Sequence, residues 1–441
     1  MTSRLCVIGA GYVGLVTGVG LASLGHDVTL VEARQDRLAS LLAGRVPIFE
    51  HGLQEAFDAA VANGRLTVAA TPAPGADIVL VCVGTPIGSD GKSDLSQLRS
   101  ALDGLAATVS EGVPLVIRST LPPGATGKVV EWSGIPTELI FTNPEFLRQG
   151  TALDDFLRPT RVVLGCFPDA DPRAKEAVTG LFSGLGAPLL VVDVAAAELI
   201  KNGANAFLAL KLSFTNELAS LSEEYGADVD DVLHGISLDP RIGPAYMRPG
   251  LGFGGSCLPK ELRALAVAGA ARGLALHVTN AASESNAAQQ QRFADRVLSV
   301  LREEDGRRVA LLGLAFKAGT DDVRDSPAMT VARVLLGAGV AVQAYDPAAE
   351  TNARRELPRL ATARGPLEAM VGADLAVVAT EWPAFREIDW SEARRHLRQP
   401  IVIDGRRLLD RVEMERLGYR YEAVGSPSPA APGPVLSTRP T

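Results

Sequence analysis

Residues 4–32 read RLCVIGAGYVGLVTGVGLASLGHDVTLVE. A short apolar strand over 4–8 runs into GAGYVG at 9–14, then a helix-like run to about Leu24, a second strand at 28–31 and an acid, Glu32. A glycine fingerprint alone is weak, but strand, glycine turn, helix, strand and acid in this order compose a dinucleotide-binding βαβ unit. Gly9 supplies the tight turn, Gly11 the close backbone approach to a pyrophosphate, and Gly14 the helix-to-strand packing, with Tyr12 and Val13 between them. Glu32 falls where a carboxylate binds the adenosine ribose hydroxyls and repels a 2′-phosphate, which favours NAD over NADP. Arg34 pulls the other way, because a nearby arginine can receive that phosphate.

Outward from this unit, apolar strands are expected at 78–83, 115–118, 139–141 and 162–164, alternating with helical stretches. That alternation implies an α/β, doubly wound parallel sheet. Two of the strands end in VGTP (83–86, with Thr85) and STLPPG (119–124, with Thr120). Doubly wound folds bind ligands at such carboxyl ends, the alternative being ordinary turn chemistry. From 195 to 225 the pattern turns helical without a proline, longer than the usual globular helix. It is expected to bridge domains or line a subunit interface, with Gly203 as a candidate kink. A second helical segment is expected at 259–272. At 307 the strand-to-glycine theme returns in RRVALLGLAFKAGTDD, followed by a helix over 328–338 and VAVQAYDP, with further strands at 375–379 and 401–403. This second domain lacks GxGxxG, so a second dinucleotide is not expected there in the same way. The expected fold is therefore two doubly wound, Rossmann-like parallel-sheet domains joined by a long central helix. The expected bounds are 1–194, a central helical region at 195–304, a C-terminal domain at 305–425, and a disordered Pro/Ser/Ala-rich tail at 426–441.

A chain of 441 residues has room for such an arrangement, and 47% hydrophobic content with only 5% aromatic suits Ala/Val/Leu-rich buried strands. A net charge of -8 argues against nonspecific nucleic-acid binding, although a few local Lys and Arg suffice for an anionic small molecule. No secretory leader or bilayer-length apolar run is visible, so a cytoplasmic, non-membrane protein is expected. The four cysteines show neither paired nor metal-type spacing. Cys6, Cys82 and Cys166 sit in strand-like runs and read as small buried hydrophobes.

Cys257 differs. It stands in GFGGSCLPKE (252–261), too glycine-rich for core, with Lys260 and Glu261 close behind. A thiol with its own cation and potential base looks like a nucleophile, the alternative being a Gly/Pro turn that contains a small residue. In NPEFLRQGTALDDF (143–156), Glu145 follows a proline directly, which suits a catalytic carboxylate or a plain helix-start charge. Lys201 and Asn205, four apart on the long helix, share a face and together can stabilise an oxyanion; the alternative is a solvated face. Leu199, Ile200 and Phe207 suggest that this helix is largely buried, which would make an unpaired Lys201 costly. A cysteine nucleophile beside a nicotinamide cofactor implies oxidation past the aldehyde, to an acid.

These motifs, with GRVPIFEHGL (44–53), ELIKNGANAFLALKLSFTNE (198–217), DPRIG (239–243), GLAFKAGTDDVRDSP (313–327) and DGR (404–406), carry a family resemblance. From about 5 to 425 the chain resembles the nucleotide-sugar dehydrogenases of the UDP-glucose/GDP-mannose dehydrogenase family. The resemblance implies an N-terminal NAD domain, a central dimerising helix giving a homodimer or higher oligomer, and a C-terminal domain for a nucleotide sugar such as UDP-glucose. It also implies a four-electron oxidation: a C6 alcohol becomes an aldehyde, Cys257 adds as a thiohemiacetal, a second oxidation leaves a thioester, and water releases the acid. By position, Lys201 and Asn205 would stabilise the developing oxyanion, Glu145 would serve thioester hydrolysis, and Thr120 would hold water or cofactor. Thr85, Gln149, Lys260 and Arg324 would lie at the cofactor. Phe146, Leu147, Phe253, Gly254, Phe316, Lys317 and Arg406 would join Glu145, Lys201 and Asn205 at the substrate, and Arg241 would reach into the neighbouring subunit's site. No metal is implied.

Two departures stand out. The family usually has aspartate where this chain has Glu261, which keeps the carboxylate but moves it out by one methylene. It usually has glutamate where this chain has Gln149, which can hydrogen-bond but not act as a base. Ser256 before Cys257 fits the UDP-glucose group better than the His-Cys pairing of the UDP-N-acetylmannosamine group, and NPEFLRQG and DPRIG favour UDP-glucose over GDP-mannose. A noncatalytic descendant of the family is a competing reading, and intact Cys257, Lys201, Asn205 and Glu145 argue against it. A dehydrogenase stopping at the aldehyde is another, but it would not need Cys257.

Overall fold

The structure, a computed structural model, describes residues 2–88, 91–105 and 111–427. The chain divides into two compact units: one up to Ala204 together with Arg263–Ala275, the other Asn205–Leu262 together with the chain from Leu276.

In the first unit, β1 (Arg4–Ile8) turns through the glycines into α1 (Tyr12–Ser23) and returns as β2 (Asp27–Val31). After α2 (Gln35–Leu42) and α3 (Leu53–Ala62) come β3 (Leu66–Ala69), β4 (Ile78–Val81), α4 (Ser96–Leu105), β5 (Leu115–Ile117) and α5 (Thr126–Ser133). The unit continues with β6 (Ile140–Thr142), α6 (Ala152–Leu157), β7 (Val162–Cys166), α7 (Pro172–Gly180) and β8 (Leu189–Asp193). The eight strands lie in the order β3-β2-β1-β4-β5-β6-β7-β8. The first six follow the dinucleotide-fold order, with the switch point between β1 and β4. Neighbours are parallel except β6 and β7, which run antiparallel, a reversal that apolar runs do not announce. Strand alternation splits β1 between two cores: Leu5 and Val7 pack into one, Cys6 and Ile8 into the other. Both faces are thus covered, as a parallel sheet requires. Cys6 and Cys82 are buried as expected, and burial pushes their thiols up to about 11 and about 12. Cys166, at the end of β7, is only half-buried.

The long helix α8 (Val194–Tyr225) begins in the first unit and ends in the second, unbroken at Gly203. It follows β8 without a loop, because the Asp193 carboxylate accepts the Ala196 N–H at 2.8 Å and starts the helix. The expectation that Leu199 and Phe207 bury this helix is corrected: they are 51% and 61% exposed. Phe214, Leu221 and Tyr225 extend the same apolar exposure to the end of the helix.

The second unit adds α9 (Val229–Ser237), most of the cysteine loop, the start of α10 (Leu258–Ala270) and α11 (His277–Glu303). Its sheet is built from β9 (Arg308–Leu312), α12 (Pro327–Gly337), β10 (Ala341–Tyr345), α13 (Glu350–Glu356), β11 (Ala361–Thr362) and α14 (Pro366–Met370). It is completed by β12 (Leu375–Val378), α15 (Trp390–His396), β13 (Ile401–Asp404), α16 (Arg411–Arg416) and β14 (Arg420–Ala423). All six strands are parallel, in the order β11-β10-β9-β12-β13-β14, which repeats the order of the first six strands of the other sheet. The turn after β9 is filled from within. Asp346, in Glu32's place after the second strand, accepts the N–H groups of Leu314 and Ala315 at 2.7 and 3.0 Å. Thr380 fills the space beside Gly313 and donates to the Ala315 carbonyl at 2.7 Å. Ser426, the first residue of the expected disordered tail, is buried and accepts from Arg407 at 2.7 Å. Residues 428–441 lie outside the described residues. Among the described residues no helix is long and apolar enough to cross a membrane.

Candidate active site

The dinucleotide turn is built around missing side chains. A Cβ on Gly14 would stand 1.7 Å from the Gly9 carbonyl oxygen, so α1 packs on β1 only with glycine there. Gly11 caps α1 without a side chain, and Val13 packs into the core behind it. Glu32 is buried, its Oε1 accepting the Arg34 N–H at 2.8 Å. The Arg34 side chain turns outward to Asp36, at 2.6 Å. The cation beside Glu32 is instead Arg37, 4.0 Å away and close to Gly11. Sequence reading missed Arg37, whose place becomes visible only once α2 is known to start at Gln35. A side-chain-free turn opening a helix beside a buried acid fits NAD. Thr85, also buried, donates to the Thr120 carbonyl at 2.7 Å and ties the loops after β4 and β5 together; Thr120 itself is half-buried.

On the loop after β6, Glu145 and Lys201 form a buried pair. Oε1 lies 3.3 Å from Lys201 Nζ, and Oε2 accepts the Leu147 N–H at 2.6 Å. The two residues are only 6% and 3% exposed. Burial pushes the Glu145 carboxyl up, but the Lys201 charge, the Leu147 N–H and the Arg118 charge outweigh it and hold its pKa below the ordinary value. The Phe146 ring lies 5.4 Å from Lys201 Nζ and 3.9 Å from the Arg161 guanidinium. Arg118, inside a strand-like run, is buried and donates to Thr17 at 2.8 Å and to Asn143, which bonds Val163 O at 2.7 Å. That network anchors the start of the Glu145 loop. On α8, Glu198 accepts from Thr126 N–H and Oγ1 at 2.8 and 2.6 Å, while Asn202 donates to Leu121 O at 2.9 Å. One face of the helix therefore holds the loop after β5 and presents Lys201.

The second unit holds the cysteine. Cys257, half-buried, precedes α10, and its carbonyl accepts the Glu261 N–H at 2.9 Å. Glu261 is 1% exposed and accepts from the Asn205 amide at 2.6 Å. Lys260 is half-buried in the same turn. A Cβ on Gly254 would meet the Asp325 carbonyl at 2.0 Å, so the loop lies against the segment that follows Asp322. The Gly255 N–H donates to Arg324 O at 2.9 Å, and Gly255 faces the Phe316 ring. Arg324, solvent-exposed, is bound to Asp322 at 2.6 Å. Its pKa is raised chiefly by that carboxylate, with a smaller contribution from the Cys257 sulfur, so a cation stands near the thiol. Asn286 of α11 accepts the Phe253 N–H at 2.8 Å and donates to the Phe253 carbonyl at 3.0 Å, while Gln289 donates to Gly250 O at 2.7 Å. Arg406 bridges Ala379 O at 2.9 Å and Phe316 O at 3.0 Å, and Lys317 Nζ lies 5.8 Å from the Phe316 ring. Arg241 points to solvent, 87% exposed and bound to Asp239. Gln149 is half-buried beside Gly150.

The NAD binding domain of the UDP-glucose/GDP-mannose dehydrogenase family matches residues 3–185, its central domain 195–288 and its UDP binding domain 310–411. UDP-glucose 6-dehydrogenase of Rhizobium meliloti (strain 1021) is 38% identical over 436 residues, covering 96% of this chain and 100% of that protein. The solved UDP-glucose dehydrogenase from the hyperthermophilic archaeon Pyrobaculum islandicum superposes with a TM-score of 0.87 at 36% identity, covering 97% of this chain and 98% of that one. A UDP-D-ManNAc dehydrogenase from Pyrococcus horikoshii superposes with a TM-score of 0.84 at 26% identity, covering 96% and 99%. With three domains of one family matched in order and nearly the whole length shared with its members, the chain is an NAD-dependent oxidoreductase and belongs to the UDP-glucose/GDP-mannose dehydrogenase family.

Proposed function

We propose that this protein oxidises UDP-glucose to UDP-glucuronate, a four-electron reaction routed through Cys257. The observation that carries the reading is a half-buried cysteine at the head of α10, near Arg324 and one helical turn from the Glu261–Asn205 bond. A dehydrogenase that stopped at the aldehyde would have no use for this thiol. Bound NAD supplies the acceptor for each two-electron oxidation. Gly9, Gly11 and Glu32 would hold its phosphates and ribose, with Gly14 letting α1 pack close behind them and Arg37 beside them.

Oxidation of the C6 alcohol leaves an aldehyde. The Cys257 thiolate adds to its carbon, and the oxygen takes a proton to give a thiohemiacetal. Lys201 and the Asn205 amide stabilise that oxygen while it carries negative charge. Glu261 holds the Asn205 amide in one orientation. Oxidation of the adduct leaves a thioester, which tethers the carbon for the last step. Glu145, held as an anion by Lys201, receives a proton from the attacking water as the carbon–sulfur bond breaks. Thr120, Thr85, Gln149, Lys260 and Arg324 serve the cofactor. Phe146, Leu147, Phe253, Gly254, Phe316, Lys317 and Arg406 shape the nucleotide-sugar site.

The functional bounds are an NAD domain at 1–194, a central region at 195–304 and a nucleotide-sugar domain at 305–425. We also propose a cytoplasmic homodimer formed through the exposed stripe of α8. Leu199, Phe207, Phe214 and Leu221 recur seven or eight residues apart, the spacing of a helix seam, and each is at least half exposed. The exposed Arg241 would then complete the partner's site. Limiting sugar tests the reaction: UDP-glucose should yield two NADH and UDP-glucuronate, with weaker turnover of GDP-mannose and UDP-N-acetylmannosamine. One NADH per sugar with aldehyde accumulating would end the thioester reading, and preference for another sugar would end the substrate assignment.

A further inference from the structure

Glu50, in the segment between α2 and α3, is 8% exposed and its carboxylate takes three donors. They are the Tyr12 hydroxyl, the Gly150 N–H at 2.7 Å and the Ala152 N–H at 2.8 Å. The three come from two places in the chain. Tyr12 is the first residue of α1 and directly follows Gly11 of the dinucleotide turn. Gly150 and Ala152 close the loop that carries Glu145 and Gln149. Burial, and next the Glu50 carboxylate itself, push the Tyr12 phenol up, so it stays a donor. An ionised carboxylate only accepts and can take several donors at once, and bonds to such a group are the stronger kind.

We propose that Glu50 is a positioning residue for NAD, a latch that sets the Glu145–Gln149 loop against the turn that receives the pyrophosphate. The proposal rests on the reading that this loop borders the cofactor. The glycine turn and the hydrolytic carboxylate's loop then share one anchor, and loosening it frees the turn and Gln149 first, because Leu147 is tied to Glu145 and Phe146 stacks on Arg161 independently of Glu50. Glutamine at position 50 keeps the shape but offers one acceptor oxygen, and its amide group meets donors with a donor.

The test titrates NAD and UDP-glucose separately into substrate-free protein by calorimetry, with thermal unfolding in parallel. Glu50→Gln should weaken NAD about tenfold while UDP-glucose affinity stays within about twofold. Tyr12→Phe, which leaves the carboxylate its two backbone donors, should weaken NAD about threefold. The double variant should be no worse than Glu50→Gln alone, since both act through one bond. Unchanged NAD affinity in Glu50→Gln, or equal losses for NAD and sugar, overturns the proposal. If Glu50→Gln does not fold, Tyr12→Phe decides in the same way. Gln149→Ala separates the two readings. Weakened NAD there with no effect at Glu50 or Tyr12 removes the latch alone, whereas no effect at any of the three removes the loop from the cofactor site as well.

Discussion

Cys257 and Glu261 are joined by a helical hydrogen bond, and Glu261 in turn grips Asn205, so replacing one group has a local and separable effect. Cys257→Ala should abolish acid formation while leaving NAD and sugar binding nearly intact, checked by product analysis and calorimetry. Glu261→Gln removes the buried carboxylate while keeping one oxygen that can accept from the Asn205 amide. As the base expected beside the thiol, Glu261 would take its acid–base assistance with it, so turnover should fall on the order of 10²–10⁴-fold, with a smaller change in sugar affinity. Glu261→Asp, the usual family residue, should stay active, and equal pH profiles for Glu261→Gln and wild type would reduce Glu261 to a helix-start charge. The Glu145–Lys201 pair sets an acid limit. A depressed carboxyl pKa contributes stability above the unfolded carboxyl range and loses it as pH falls through the lower folded value. Lys201→Met leaves the carboxylate buried without this cation. It should cost about 3–5 kcal/mol at neutral pH and move the acid unfolding limb upward, read by thermal melts between about pH 3 and 7. Cys257, Lys201 and Glu145 were legible as candidates because reactive residue types stood in unusual company. Glu50, Arg118 and Arg37 were not, since their partners are made by folding: Glu50 meets Gly150 and Ala152 across about a hundred residues of chain.

Among elements, the β1–α1–β2 unit and α8 were plain from periodicity, but β8 and α11 were not. The run LLVVDVAAAELI passes from strand to helix with no turn residue, and only Asp193 as a cap marks the change. The inner face of α11 includes Asn286 and Gln289, buried carboxamides that grip the cysteine loop, so an apolar stripe underdescribes it. The same departure appears on α8, where Glu198, Lys201 and Asn202 are buried and polar while Leu199 and Phe207 are exposed. Reading apolar as inward inverted that helix. Its spacing carries a prediction. A methyl group at Gly203 would meet nothing within 4 Å beyond its own helix, so Gly203→Ala should stabilise by up to about 1 kcal/mol in a melt. Inserting one residue there instead turns Asn205 by about 100° relative to Lys201 and should abolish turnover. Gly254→Ala, with Asp325 O only 2.0 Å from the new methyl, should lower turnover while NAD affinity holds.

At the scale of the molecule, the dimer proposed through the exposed stripe of α8 predicts that Phe207→Glu with Phe214→Glu yields a monomer in sedimentation and lowers activity, since the proposed Arg241 contribution to a partner's site would go with it. The first six strands of one sheet share their order with the six of the other, and the turns after their first strands differ in one carboxylate. In the first sheet, Glu32 accepts from the Arg34 N–H and from no amide of the glycine turn. In the second, Asp346 takes the Leu314 and Ala315 amides, and the Trp382 indole at 3.1 Å besides. The second sheet is therefore a nucleotide cradle that carries its own anion as a permanent tenant. Grafting GxGxxG onto 313–318 would give an engineer no second dinucleotide reader while Asp346 remains. Evicting Asp346 would leave several buried donors without an acceptor, so the conversion demands that the incoming ligand and the lost carboxylate be exchanged in a single step.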